Sequence, residues 1–332
     1  MTAAGLHVQH LSTTFTTGRG RTAAVRDVSL DIAPGETYVL LGESGSGKSV
    51  TARSILRLYG AAATLTGTVA LDGTDLGGLG RRELRALRGR RIAMIAQDPT
   101  AALDPLRSIG SQLVEMLRVH RVETVKVEAR RRALDLLAMV GIPDPSRVFT
   151  SRPHQLSGGM RQRAVIAIAI ACGPELLIAD EPTTALDVTV QATILELFLD
   201  LQRRNGMALL IVTHDVGVAE ELGGRIGVMY AGRIVETGAT RDVLAAPHHP
   251  YTRGLLDSLP RPGIPRGELP VIIGRPPLTG ETPPGCAFSL RCPLVEPACR
   301  EHVPDLADGP AGRAVACPVV ESRLQTGRAV SA

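Results

Sequence analysis

Residues 42–49 read Gly42-Glu43-Ser44-Gly45-Ser46-Gly47-Lys48-Ser49, a full match to G-x-x-x-x-G-K-[ST], and no other stretch narrows the possible folds so far. A short apolar run, Tyr38-Val39-Leu40-Leu41, leads into it, and residues 50–58 read as a helix after it. That order of strand, glycine turn and helix is what phosphate binding needs. Glycines let successive N–H groups turn toward phosphate oxygens, and the helix N-terminus adds a positive dipole. Gly42, Glu43, Ser44, Gly45, Ser46 and Gly47 are therefore expected to cradle a nucleotide's phosphates. Lys48 would neutralise the β and γ phosphates, and Ser49 would ligate Mg²⁺.

A second landmark is Leu176-Leu177-Ile178-Ala179-Asp180-Glu181, an apolar run ending in two carboxylates. Asp180 at the strand tip is expected to hold the Mg²⁺ shell, and Glu181 to polarise an attacking water. Leu209-Leu210-Ile211-Val212 reads as another buried strand, and Ile194, Leu197, Phe198 and Leu201 mark one face of a helix between the two. Strands alternating with helices predict an α/β fold around a parallel sheet with right-handed crossovers. Earlier in the chain, residues 6–96 are mostly strand in pattern: Val28, Leu30 and Ile32 alternate with polar residues, and residues 67–71 and 92–95 read as further strands. Residues 106–140 turn helical, with Leu134, Leu137, Ala138 and Gly141 at i, i+3, i+4 and i+7. Residues 260–285 are rich in Pro and Gly and predict a loop-dominated extension.

Charge and composition exclude some partners. The 332 residues carry 37 Lys+Arg against 33 Asp+Glu, a balance too mild to argue for nucleic acid. Aromatic residues make up 2% and Trp is absent, which leaves few bases for a stacking platform. The most apolar run, residues 164–172, falls well short of the roughly 20 residues that cross a bilayer. The opening MTAAGLHVQH lacks the basic start and apolar stretch of a signal peptide, so a cytosolic protein is expected. Five cysteines in that compartment are not expected to form disulfides. Four of them, Cys286, Cys292, Cys299 and Cys317, are spaced C-x5-C-x6-C-x17-C, which predicts a metal site. Tetrahedral Zn²⁺, an iron–sulfur cluster and unmetallated buried thiols all fit this spacing. Cys172 reads as an ordinary core residue.

Leu156-Ser157-Gly158-Gly159-Met160-Arg161-Gln162-Arg163 resembles the signature motif of the ATP-binding cassette (ABC) family. The resemblance implies a P-loop NTPase, RecA-like cassette with a helical subdomain and a loop-rich, cysteine-containing C-terminal extension. The implied boundaries are a cassette over residues 1–236, with its core at 1–97 and 161–236 and the helical subdomain at about 98–160, and an extension over 237–332. Ser157, Gly158 and Gly159 would open a helix as an anion site facing the γ-phosphate held by a partner subunit. Gln97 is similar to the glutamine that senses Mg²⁺ and the attacking water. Ala185-Leu186-Asp187 is similar to the loop that crosses between subunits, and His214 to the histidine that contacts the γ-phosphate. Phe15 is the expected adenine stacker, with Tyr38 and Val25 as rivals for that contact or for core packing. Val50 stands where many members carry Thr, a contact that a backbone N–H supplies equally.

Within the family the resemblance is to ATPases of oligopeptide, dipeptide and nickel importers. It is carried by residues 97–105 (QDPTAALDP), residues 182–191 (PTTALDVTVQ), residues 249–256 (HPYTRGLL) and the cysteine tail. It implies ATP and Mg²⁺ as cofactors, a four-iron four-sulfur cluster with Zn²⁺ as the alternative, and hydrolysis within a head-to-tail nucleotide sandwich. The implied partners are a second ATPase subunit, two transmembrane permease subunits and, indirectly, an extracytoplasmic solute-binding protein, with no nucleic acid. The implied place is the cytoplasmic face of the cell membrane. Import of peptides is the expected function; a nickel or other solute importer and a soluble switch protein outside transport are the alternatives.

Overall fold

The structure is a computed structural model, describing residues 5–18, 20–183, 186–259, 270–278, 280–281, 283–309 and 312–325. Ala185 of the loop expected to cross between subunits, Thr184 beside it, and much of the Pro/Gly-rich stretch lie outside those residues. The chain forms two compact units: residues 1–6, 32–37 and 70–212 make the first, and residues 7–31, 38–69 and 213–332 the second.

In the second unit, Thr37–Leu41 is buried at every position. An unbroken apolar run suits a strand covered on both faces, and this strand pairs in parallel with Arg225–Tyr230, from Tyr38 opposite Arg225 to Leu41 opposite Val228. Antiparallel neighbours extend that edge through Arg233–Ala239, Ala314–Val315 and Ala307–Asp308. A bulge interrupts the register between Ile234 and Glu236, and the carbonyl of the bulged Val235 accepts from the Ala316 N–H. The tail is thus hydrogen-bonded to the strand at residues 233–239. Gly20–Ile32, Leu6–Thr17 and Ala63–Leu71 lie side by side as a separate sheet; their alternating burial is the signature of one wet face.

In the first unit, Ile92–Ile95, Leu176–Asp180 and Ala208–Thr213 are parallel, with Leu176 between Ile92 and Ala208. All three strands fall where the apolar runs predict them. The helical stretch holds two helices, Ile109–Val119 and Lys126–Met139, followed by the short Pro145–Thr150; the three pack on one another, and the first two also pack with Gly158–Ile170. Lys126–Met139 buries Ala129, Ala133, Leu136 and Leu137, whereas Ala138 is exposed. The expected stripe from Leu134 was rotated by part of a turn, because both i, i+3, i+4 sets in this segment contain Leu. Gly110 is required by packing: a Cβ there would run into the Phe149 ring, over which the Arg130 guanidinium lies 4.5 Å from the centroid. A short helix, Arg81–Leu87, was not foreseen; it buries no residue and so shows no apolar period.

Candidate functional site

The phosphate loop of the second unit owes its shape to two glycines. Gly42 has φ 152° and Gly47 φ 104°, values that L side chains rarely adopt. A Cβ on Gly42 would collide with the Met229 carbonyl, and one on Gly47 would lie 2.6 Å from the Ala24 carbonyl. Gly47 is the N-cap of the helix Lys48–Ile55, so Lys48 and Ser49 open the helix and Val50 follows. Ser44 and Gly45 are exposed at the tip, Ser46 is buried, and the Gly232 N–H donates to the Ser46 carbonyl at 2.8 Å. Lys48 is 5% exposed. Its ammonium donates to the carbonyls of Gly42 at 2.7 Å and Glu43 at 2.8 Å, and to Ser46 Oγ at 3.5 Å. The loop therefore holds a cation at its centre, ringed by backbone that curls around it.

Other expected residues of this unit stand as follows. Phe15 packs edge-on against Tyr59, centroids 4.9 Å apart. Its rivals for an adenine are core residues: Val25 is fully buried, and Tyr38, 1% exposed, gives its hydroxyl to the Thr237 hydroxyl at 3.1 Å. His214 is exposed at the end of Ala208–Thr213, just before Asp215, which caps the helix Val216–Leu222 by accepting from the Gly217 N–H.

The first unit supplies the carboxylates. Asp180 is fully buried at the end of Leu176–Asp180. Glu181 has φ 50°, rare for a residue with a side chain, and its N–H still donates to the Val212 carbonyl at 2.8 Å. The left-handed turn takes the Glu181 side chain off the strand, where its Oε2 accepts from Gln97 Nε2 at 3.0 Å. Strain of this kind concentrates where chemistry requires a particular aim. The next carbonyl, Pro182, is held at 2.7 Å by Nε2 of Gln162, a 1%-exposed residue of the signature helix. Sequence reasoning placed Gln162 in the motif but gave it no task; the only signal was a long polar residue on the apolar side of a helix.

Ser157 caps Gly158–Ile170, its hydroxyl accepting from the Met160 N–H at 3.3 Å, and it is exposed. A Cβ on Gly159 would sit in ordinary contact with Leu186, 3.5 Å away. Asp187 caps Val188–Asn205 through the Val190 N–H at 3.0 Å. The exposed tip at Ser157 presents the positive end of its helix, a chemistry for anions, whereas at Asp187 the capping carboxylate already takes that place.

The cysteine tail departs from expectation. Cys286, Cys292, Cys299 and Cys317 line one small cavity, and none of the five cysteines is in a disulfide. Yet no group of three or more His, Cys, Asp or Glu among the described residues is placed to hold a metal ion. Neither the expected iron–sulfur cluster nor its zinc alternative finds a formed ligand set. Burial pushes the Cys292 thiol up to about 11 and the Cys317 thiol up to about 12, as neutral thiols in an apolar tail should be. Cys299, Cys317, Val315, Val319 and Val320 instead form a small core with Cys286 against it. Cys172 is the core residue expected, buried just past the end of Gly158–Ile170, and burial raises its thiol too.

Residues 25–184 match the family model described as ABC transporter, and residues 235–299 the model described as oligopeptide/dipeptide transporter, C-terminal region. The chain is 46% identical over 323 residues to the dipeptide transport ATP-binding protein DppD of Bacillus subtilis, covering 96% of each. It is 48% identical to the probable peptide ABC transporter ATP-binding protein y4tR of Sinorhizobium fredii, covering 94% of each. Among solved structures it is similar to the dimeric ATP-binding cassette MJ0796 bound to ADP and Pi, with a TM-score of 0.65, 32% identity, 71% of this chain and 99% of that one. The chain belongs to the ABC transporter family, as an ATP-binding and ATP-hydrolysing cassette subunit that carries the oligopeptide/dipeptide type of C-terminal region. No helix among the described residues is long and apolar enough to cross a membrane.

Proposed function

We propose that this subunit powers the import of di- or oligopeptides, working at the cytoplasmic face of a membrane beside two permease subunits, a second cassette and an extracytoplasmic binding protein. The observation that carries the reading is likeness over nearly the whole chain, cassette and C-terminal region together, to ATP-binding proteins whose names specify peptide transport. A groove of about 800 Å³ on the helical part, lined by Arg107, Val114, Glu115, Arg118 and Val119, supports a permease contact there, with Leu106 81% exposed nearby. In this reading residues 1–236 are the cassette, with residues 98–160 as its helical subdomain, and residues 237–332 the extension.

The site residues take these roles. Gly42 to Ser49 and the Val50 N–H cradle the phosphates, and Lys48 exchanges its loop carbonyls for the β and γ oxygens. Ser49, Gln97 and Asp180 are hard oxygen donors, the set that suits Mg²⁺, which when bound draws charge from the phosphates. Glu181 accepts the proton of the attacking water, Gln97 orients it, and His214 donates to the γ-phosphate. Ser157, Gly158, Gly159 and Asp187 complete the partner's site in trans, and Phe15 stacks on the adenine. A bound metal in the tail rests on the cysteine spacing alone, and iron, sulfide and zinc analysis of anaerobically purified protein tests it; protein containing none of the three refutes it.

Uptake of labelled dipeptide and of nickel by cells with and without the gene tests the substrate. Loss of dipeptide uptake alone is expected; loss of nickel uptake alone overturns the peptide reading.

A further inference from the structure

The chain has four Tyr and four Phe, and three of these eight rings meet at one place. Tyr230 ends the strand Arg225–Tyr230, Tyr251 stands in the helix Pro250–Asp257, and Phe288 lies in the cysteine-bearing loop. Their centroids are 4.5 Å apart for Tyr230–Tyr251, 5.3 Å for Tyr230–Phe288 and 5.5 Å for Tyr251–Phe288. The cluster joins the C-terminal extension to the phosphate loop at one residue, Glu43. The Tyr251 hydroxyl accepts from the Glu43 N–H at 2.9 Å. Arg291, its side chain 6% exposed, forks onto the Glu43 carboxylate, Nη1 to Oε2 at 3.0 Å and Nη2 to Oε1 at 3.3 Å.

The rest of the guanidinium is spoken for. Nη1 also donates to the Tyr230 hydroxyl at 3.3 Å, Nε to the Ile273 carbonyl at 3.3 Å and Nη2 to the Ile272 carbonyl at 3.4 Å. A planar fork with this many fixed partners has one orientation. Glu43 is therefore gripped by its carboxylate and its N–H from the extension, while its carbonyl holds the Lys48 ammonium at 2.8 Å. One residue links the tail to the phosphate lysine.

We infer that Arg291 and Tyr251 are positioning residues for nucleotide binding: acting through Glu43 on Lys48, they make the affinity of the phosphate loop depend on the C-terminal extension. The inference rests on residues 42–49 being the nucleotide's phosphate site. A preorganised loop binds without first ordering itself, and releasing Glu43 puts that ordering cost into each binding event.

The test is binding of a fluorescent ATP analogue with Mg²⁺ to the full-length chain, with melting temperature measured alongside. Arg291→Gln should raise Kd about tenfold, or 1.4 kcal/mol. Arg291→Lys, which keeps charge but loses the fork, and Tyr251→Phe should each raise it about threefold. Glu43→Gln should match Arg291→Gln, and the double variant should bind no more weakly than either single one, since residues acting through each other are not additive. Losses that multiply in the double variant, or Kd values within about twofold of wild type while the melting temperature falls, overturn the inference and leave Arg291 as a structural fastening. If Arg291→Gln does not fold, Arg291→Lys and Tyr251→Phe decide the matter by the same criteria. Lys48→Ala is the control for the site itself: undiminished binding there defeats the assignment of the phosphate site, not the strap.

Discussion

Glu236 is fully buried and is an unusually loaded carboxylate. Its Oε1 accepts from the His248 N–H at 2.8 Å and from Arg313 Nη2 at 2.7 Å, and its Oε2 from the His249 N–H at 2.9 Å. Arg313 is itself buried, and the same Nη2 has one further acceptor, the Ala246 carbonyl at 2.7 Å. Glu236→Ala therefore leaves a guanidinium uncompensated in the interior and strands two amides at the entry to the helix Pro250–Asp257. Breaking one side of a buried pair costs on the order of 3–5 kcal/mol. Water entering the space would recover part of the amide cost of about 1–3 kcal/mol each, so the whole is expected near the pair's own figure. With no Trp in the chain, urea unfolding followed by far-UV circular dichroism is the assay. For a denaturant slope of about 3 kcal/mol/M, the midpoint should fall by about 1 M or more. The double variant Glu236→Leu with Arg313→Met should regain only part of this, because the His248 and His249 amides still lack an acceptor. A single-variant shift under about 0.3 M would refute the reasoning, and so would complete recovery in the double variant.

His249 is 1% exposed, its Nδ1 accepts from the Tyr251 N–H at 3.0 Å, and burial pushes its pKa down to about 3. The unfolded chain binds a proton there below about pH 6.5 that the folded chain refuses, so this stability is complete above that pH and is lost as pH falls toward 3. Between pH 7 and pH 5 wild type should lose about 2 kcal/mol more than His249→Asn, which keeps an acceptor without the titration; identical losses would count against it. Glu181→Gln in the assembled transporter should abolish ATP turnover while leaving nucleotide binding within about twofold of wild type, and rapid turnover by that variant would remove Glu181 from the chemistry. Gly47→Ala should cost the loop at least about 1–2 kcal/mol of left-handed strain and drive the Ala24 carbonyl away, abolishing ATP binding; a variant that binds normally would show the φ of Gly47 to be dispensable.

What could be read from the sequence was what is local. Residues 42–49 sit in a strand–turn–helix because glycine and apolar runs are written in consecutive positions, and Ile92–Ile95 and Leu176–Asp180 carry their own burial pattern. The buried face of Lys126–Met139 was misplaced because Leu134, Leu136 and Leu137 offer two overlapping stripes, and only packing against the neighbouring helices chooses between them. Arg291 was invisible for a different reason. It lies 248 positions from Glu43, and an arginine before a cysteine in a Pro-rich tail looks like a solvated charge. The cysteine spacing announced a cluster, but spacing carries no information about whether four thiols reach ligating distance, and among the described residues no such group is formed.

The left-handed Glu181 explains why the two motifs on either side of it have to be read together. Had the strand Leu176–Asp180 simply continued, alternation would have carried the Glu181 side chain to the face opposite that of Asp180, away from Gln97. The turn redirects it, at a cost of about 1–3 kcal/mol for an αL residue with a side chain, and something must hold the chain in that conformation. Two bonds do so. The Glu181 N–H stays tied to Val212 on the neighbouring strand, and the Pro182 carbonyl is anchored by Gln162. Gln162 lies just over one turn into the helix that Ser157 caps. The helix tip proposed for a partner's phosphate and the carboxylate proposed to activate water are thus joined by one helical turn and one buried hydrogen bond. If the proposed roles hold, this bond gives engagement of the signature motif a direct physical route to the Glu181 backbone.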